Sequence, residues 1–198
     1  AQVTYQSADH AYGVYSDGSS VLYPYPAENV LRIVTKEPEK KVYRNNSGNL
    51  IIDLGKEIIG GLKVNLNSSI DQNITIRRGE EVNTDGTVKY KLTAVPTYED
   101  VWKLKKGSNQ FETVTMRNFR YVELIGLDDT TEDAIINNPD SILGWAMEQA
   151  FDEEISDFTA DDGSEASTLL NRLYDLSKYS IKATDQDVYT DSQARERA

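Results

Sequence analysis

Between about residue 20 and residue 150 the chain is written as short segments in which apolar and polar residues alternate, and this period of two limits the fold more than any other feature. In Leu62-Lys63-Val64-Asn65-Leu66 and Val101-Trp102-Lys103-Leu104, alternate side chains fall on opposite faces, as in a strand buried on one side. Segments of this kind, about five residues each, are read at 21–25, 30–34, 49–54, 62–66, 74–77, 100–104, 111–116 and 119–125. Turn chemistry separates them: Asn46-Ser47-Gly48-Asn49, Asp85-Gly86, Lys106-Gly107-Ser108-Asn109, and Gly126 before an acidic loop. Gly60-Gly61 inside a strand pattern indicates a bulge or a tight entry. Short strands at regular spacing with turns between them predict a mainly β chain, an antiparallel β-sandwich.

The pattern changes after that. From Glu148 to Ser167 there are eight acidic residues and no Lys or Arg, which reads as a solvated loop between two units. Asp161-Asp162-Gly163 lies within it, but the spaced ligands and closing Glu of a calcium loop are lacking, so a turn or cap is expected. Next, Leu169, Leu173 and Leu176 recur at helical spacing, and Leu170, Tyr174 and Ile181 widen the stripe. Ser164 is placed to cap this helix and Glu165 to add acid to its first turn. An amphipathic helix of about 15 to 20 residues follows, ending before Asp185 or Asp187. One broad apolar face needs partners, so residues 164–198 read as the beginning of a helical domain.

The formal charge of -12 repels polyanions, which argues against nucleic acid or an anionic membrane surface as partner. With no cysteine there is no disulfide framework and no thiolate metal or redox site, and the compartment stays open between cytoplasm and periplasm or secretion. No apolar run approaches the roughly 20 residues of a membrane span. Twelve tyrosines and two tryptophans on an acidic chain suit sugar recognition, although Trp102 and Trp145 sit in strand-like text where core packing is the better reading. No cofactor or metal is called for, and His10, the single histidine, reads as a surface side chain.

The chain closes on Asp191-Ser192-Gln193-Ala194-Arg195-Glu196-Arg197, two carboxylates and two guanidiniums in seven positions. On a straight helix Asp191 and Glu196 would stand roughly 140° apart, so they could serve one ligand only from a helix end or a loop. Taken alone, the string fits a solvated charged tail.

Four stretches in order give it a different meaning. They are Ile52-Asp53-Leu54-Gly55-Lys56-Glu57-Ile58-Ile59-Gly60-Gly61, then Ile76-Arg77-Arg78-Gly79-Glu80-Glu81-Val82 with Asp85-Gly86, then Phe119-Arg120-Tyr121-Val122-Glu123-Leu124-Ile125-Gly126, and lastly Leu169-Leu170-Asn171-Arg172-Leu173-Tyr174 leading to the terminal string. Together they make residues 47–198 resemble the bacterial α-L-rhamnosidases, glycoside hydrolase family seventy-eight. The resemblance implies a concanavalin-like β-sandwich at 47–160 and the first helix of an (α/α)6 barrel at 161–198; residues 1–46 form a β-rich segment that it does not place.

It also implies chemistry. Members of the family invert the anomeric configuration, which requires a protonated carboxyl to supply the leaving oxygen and a second carboxylate to activate water. Glu196 matches the position of the general acid, and Asp191 and Arg195 match positions that hold rhamnose hydroxyls. The base comes from further along the barrel. The substrates implied are rhamnose-containing glycosides, hydrolysed at terminal non-reducing α-L-rhamnose by the intact parent, with residues 1–198 alone inactive. A non-catalytic carbohydrate-binding sandwich would account for the strands and aromatics but leaves the Arg-Glu-Arg string without a purpose. The uncovered Leu169 to Ile181 stripe adds the expectation that the helix folds back or pairs with a second copy in a homodimer.

Overall fold

The computed structural model describes residues 2–4, 11–14, 20–22, 30–35, 40–91, 97–149 and 156–184. These fall into two compact units, one spanning residues 34–146 and the other containing the described residues before 34 and after 146. The strands are β1 (Gln2–Thr4), β2 (Ala11–Val14), β3 (Ser20–Leu22), β4 (Val30–Thr35), β5 (Lys41–Arg44), β6 (Leu50–Ser68), β7 (Gln72–Gly79), β8 (Glu99–Leu104), β9 (Gly107–Glu112), β10 (Arg117–Ile125) and β11 (Ile142–Gln149). The helices are α1 (Asp129–Asn137) and α2 (Glu165–Thr184), with a 3-10 turn at Pro139–Ser141.

The unit at 34–146 is organised by β6, 19 residues long. Its first residues pair antiparallel with β5 on one edge, Asp53 opposite Lys41, and with β10 on the other, Asp53 opposite Tyr121. Its later residues pair with β11, Val64 opposite Ile142, and with β9, Val64 opposite Phe111. Between these two sets the strand bends. From Leu54 to Glu57 it faces only Arg120 of β10, because the register shifts between Tyr121, opposite Asp53, and Phe119, opposite Ile58. Gly55 sits in this bulge at φ +86°, a left-handed conformation that a Cβ would strain. From β10 the sheet continues through β7 to β8.

Both halves of β6 feed one core, since their apolar residues keep the same alternate positions on either side of the register shift. Leu50, Ile52 and Leu54 from before the bend and Leu62, Val64 and Leu66 from after it belong to the same apolar cluster, with Ile74, Ile76, Trp102, Leu104, Phe119, Val122 and Leu124. Trp102 meets Phe111 edge-on at 5.0 Å between ring centroids, a favoured geometry that ties β8 to β9. Alternation in 62–66 and 101–104 is as the sequence predicts. In β10 it breaks: Val122, Glu123 and Leu124 are all buried, since this strand is covered on both faces beyond the bulge.

Several sequence readings need correction. The segments at 49–54 and 62–66 are one strand, and the bulge lies at 54–57, not at Gly60-Gly61. The diglycine is instead a point of close approach: a Cβ on Gly60 would lie 1.8 Å from the Trp145 carbonyl oxygen, and one on Gly61 would lie 2.6 Å from the Trp145 ring. The strand expected at 111–116 runs at 107–112, so Gly107-Ser108-Asn109 is strand and not turn. The acidic loop expected after Gly126 is helical from Asp129, where Asp128 accepts the Thr131 N–H as N-cap and Ile135 enters the core. The turns at 46–49 and 85–86 are present, with Gly48 and Gly86 both at φ +81°. Trp102 and Trp145 are buried.

In the other unit β1 pairs antiparallel with β4 and β2 with β3. α2 starts as predicted: the Ser164 hydroxyl accepts the Ser167 N–H at 3.0 Å, and the Asp162 carboxylate accepts the Ser164 N–H at 2.9 Å ahead of it. Asp161-Asp162-Gly163 is thus a capping turn, with Gly163 at φ +73°.

Gly60→Ala must displace backbone, since the obstructing atom is a carbonyl. Overpacking of this kind costs about 1–3 kcal/mol, or at least about 2–4 °C of Tm in a chain of this size, whereas Gly48→Ala, whose Cβ meets nothing, should cost only its backbone strain of about 1 kcal/mol. Thermal unfolding of the two variants measures the difference; equal losses would deny Gly60 its packing role.

Candidate active site

Asp191, Arg195 and Glu196 lie outside the described residues, as does His10. The described chain leads toward them through α2, whose Leu169, Leu170, Leu173, Leu176 and Ile181 are all about half exposed, so the stripe predicted from the sequence is present and lies open. Within the same unit, Phe158 packs on Tyr174 with ring centroids 5.6 Å apart, and the Asn171 side chain exchanges hydrogen bonds with Ala160, donating to its carbonyl at 3.0 Å and accepting its N–H at 2.8 Å. These contacts fix the segment before α2 along the helix.

The unit at 34–146 has its own charged groups, and their chemistry separates them from an acid–base site. Asp53 accepts from Arg120 through both oxygens, at 2.7 and 3.0 Å, the bidentate geometry that suits a guanidinium fork, and also from the Gly55 N–H at 2.9 Å. Burial alone would raise the Asp53 pKa, but the Arg120 and Gly55 hydrogen bonds outweigh it and hold the carboxyl below its ordinary value. Glu123 is fully buried and held through both oxygens: Oε1 accepts from Asn45 and Asn49 at 2.8 and 2.9 Å, and Oε2 from the Val88 N–H at 3.1 Å. Asp128, at the start of α1, takes Ser69, Thr131 and Gln72 as donors; these overcome desolvation and push its pKa well down. Arg78, 1% exposed, pairs with Asp100 and stacks over Phe119, its guanidinium carbon 5.5 Å from the ring centroid.

These carboxylates are committed acceptors. A general acid needs the opposite, a carboxyl kept protonated near working pH. Glu57 is pushed upward by lost solvation and by the carboxylate of Glu80, and Glu80 in turn by lost solvation and by Glu81. Neither lines either of the two hollows described in the protein. Sequence reading placed Glu57 and Glu80 inside motifs without giving either a role; the signal was only their adjacency to the bend and to the end of β7.

Residues 43–148 match the family described as the bacterial alpha-L-rhamnosidase concanavalin-like domain. The chain belongs to that family. An alpha-L-rhamnosidase of Streptomyces avermitilis is 29% identical over 98 residues, covering 48% of this chain and 10% of that protein. The crystal structure of the Streptomyces avermitilis alpha-L-rhamnosidase complexed with L-rhamnose superimposes on 83% of this chain and 15% of its own, with TM-score 0.58 and 24% identity. That of the Dictyoglumus thermophilum alpha-L-rhamnosidase covers 89% and 20%, with TM-score 0.60 and 20% identity. At these identities the structures speak for the fold. The chain spans between 10% and 20% of the length of these relatives.

The rhamnosidase-family match contains three of the four stretches that carry the resemblance, and the structure explains each physically. Ile52 to Gly61 holds the bend and the close approach to Trp145; Ile76 to Val82 carries the buried Arg78; Phe119 to Gly126 supplies both Arg120 and Glu123. The fourth stretch, on α2 and beyond, lies outside the matched residues.

The Asp53 clamp makes stability depend on acid. A depressed folded pKa means that its contribution is present above the unfolded value, about 3.9, and is lost as pH falls through the lower folded value. Asp53→Asn should cost about 1–3 kcal/mol at pH 7, and the gap from the parent sequence should narrow as the pH falls below about 4. Urea unfolding at neutral and acid pH reads both quantities, and a pH-independent gap would show that the ion pair contributes nothing.

Proposed function

We propose that the intact parent is an α-L-rhamnosidase that removes terminal α-L-rhamnose with inversion, and that residues 161–198 open its catalytic (α/α)6 barrel. The observation that carries this reading is the rhamnosidase-family match over residues 43–148, followed in chain order by α2 and the Asp191-to-Arg197 string. Relatives over this domain are alpha-L-rhamnosidases, and one of them has been seen with L-rhamnose bound.

Under this proposal Glu196 protonates the departing glycosidic oxygen. Its pKa must be held up for that purpose by burial or by neighbouring anions. Asp191 and Arg195 hold the sugar, the carboxylate accepting from hydroxyls and the guanidinium fork donating to vicinal oxygens. Arg195 also keeps Asp191 ionised beside a protonated Glu196, so two carboxyl groups five residues apart take different charge states. An inverting reaction needs a base about 6.5–9.5 Å from the acid, with room for water between. We place that base in the remainder of the parent, since the chain spans only a small share of the length of its relatives. The domain at 34–146 serves as a rigid support, in keeping with carboxylates that are held by its own donors.

In the intact parent, Glu196→Gln should lower turnover of rhamnosides with poor leaving groups by about 10²–10⁴-fold and spare activated aryl rhamnosides, because only a poor leaving group needs the proton. A Brønsted series of leaving groups tests this, and equal losses across it would remove the acid role. Asp191→Asn should raise KM as well as lower kcat, because its contacts exist in both ground and transition states.

Residues 1–198 alone should show no turnover of an aryl α-L-rhamnoside above a Glu196→Gln control. Activity above that control would mean that a base lies among these residues.

A further inference from the structure

Glu148, one residue before the end of β11, is 5% exposed, although it opens a stretch that runs to Ser167 without a Lys or Arg. A carboxylate taken out of water is costly unless a cation and hydrogen-bond donors offset the loss. An ammonium reaches it from elsewhere in the chain: Lys182, in the last turn of α2, lies 3.7 Å away. Both residues belong to the unit that contains the described residues after 146. The Lys182 side chain is 27% exposed, so this pair is far better shielded than the surface contact of Lys105 with Asp71, whose side chains are 79% and 60% exposed. A cation in the last turn also suits the carbonyl end of the helix dipole.

The pair adds a second anchor to α2. Its start is held by the Ser164 cap and by Asn171 and Tyr174, which bind residues 156–160 along the helix. At its far end the Thr184 hydroxyl donates to the carbonyls of Ser180 and Ile181 at 2.8 and 3.2 Å, and the Ser180 hydroxyl to that of Leu176 at 2.8 Å. Those bonds finish the helix but leave its direction open. Glu148 fixes the direction by tying the last turn to β11. Asp191 follows Thr184 by seven residues, a span of at most about 25 Å, so the position of this turn bounds where the Asp191-to-Arg197 string can lie.

We propose that Glu148 is a positioning residue for that string: through Lys182 it fixes the end of α2, and with it the placement of Glu196 against the leaving oxygen. This role rests on the proposed rhamnosidase activity, and Glu148 itself touches no substrate. A general acid must lie about 2.6–3.2 Å from the atom it protonates, and a misplacement of about 1 Å can cost 10²-fold. In the intact parent, Glu148→Gln should therefore lower kcat on rhamnosides with poor leaving groups by about 10- to 100-fold, while activated aryl rhamnosides lose much less. The contrast between the two substrates is the readout, since a variant that merely unfolded in part would lose both equally. Lys182→Met should show the same contrast, the double variant should lose no more than either single one, and Lys182→Arg, which keeps the charge, should retain most of the turnover. Equal losses on both kinds of substrate, or no loss, for Glu148→Gln in a parent where Glu196→Gln does discriminate between them would overturn the positioning role and leave the acid role of Glu196 standing. A Glu196→Gln variant that fails to discriminate would remove the acid role, and the positioning role with it.

Discussion

The unit at 34–146 depends on one strand serving two sets of partners. β6 pairs with β5 before the bulge and with β11 and β9 after it, while β10 pairs with it on both sides, and both halves bury side chains in one core. The bend needs a residue at φ +86°, supplied by Gly55, and a partner strand that gives up register, which β10 does at Arg120. The bidentate Arg120 to Asp53 contact spans this point and also recruits the Gly55 N–H, so the irregular backbone is held by charge-assisted hydrogen bonds as well as by sheet pairing. Beyond the bend, Gly60 and Gly61 let β11 approach closely enough for Trp145 to cover the strand.

Buried polar groups then secure the loops. Glu123, inside β10, reaches Asn45 and Asn49 in the β5–β6 turn and the Val88 N–H in the segment after β7. One carboxylate thereby ties together parts of the chain 35 to 78 residues away from it. Both oxygens of this side chain are held by protein donors, and none of it is exposed to solvent. The same physics applies to Asp128, whose three side-chain donors fix the start of α1.

Much of this was legible in the chain as written. Period-two alternation marked 62–66 and 101–104 as strands, and leucine spacing, Ser164 and Glu165 marked α2 with its start. The turn at 46–49 followed from Asn and Gly chemistry. Other elements carried weak signals. β5 is four residues long and mostly exposed, so its short Lys-Val-Tyr-Arg text shows no clear buried face. α1 starts at the second of two aspartates, and two of its three buried residues, Thr131 and Glu132, are polar, so its charge outweighed its periodicity and it read as loop. Gly60-Gly61 read as a bulge or a tight entry and Gly55 carried no signal of its own, although in the folded chain these glycines are what allows one strand to continue.

The sequence by itself determined the class of fold, the positions of most strands, the capped helix and, through four ordered stretches, the family. Those properties are local or written in order along the chain, where alternation, capping and turn chemistry act over a few residues. Only the tertiary structure decided that 50–68 is a single strand with a bulge, that Asp53 is clamped by Arg120 from 67 residues away, and that Asn45, Asn49 and the Val88 N–H converge on Glu123. Such pairings depend on register between strands, and register is set by the fit of the whole core, which no short stretch of residues contains.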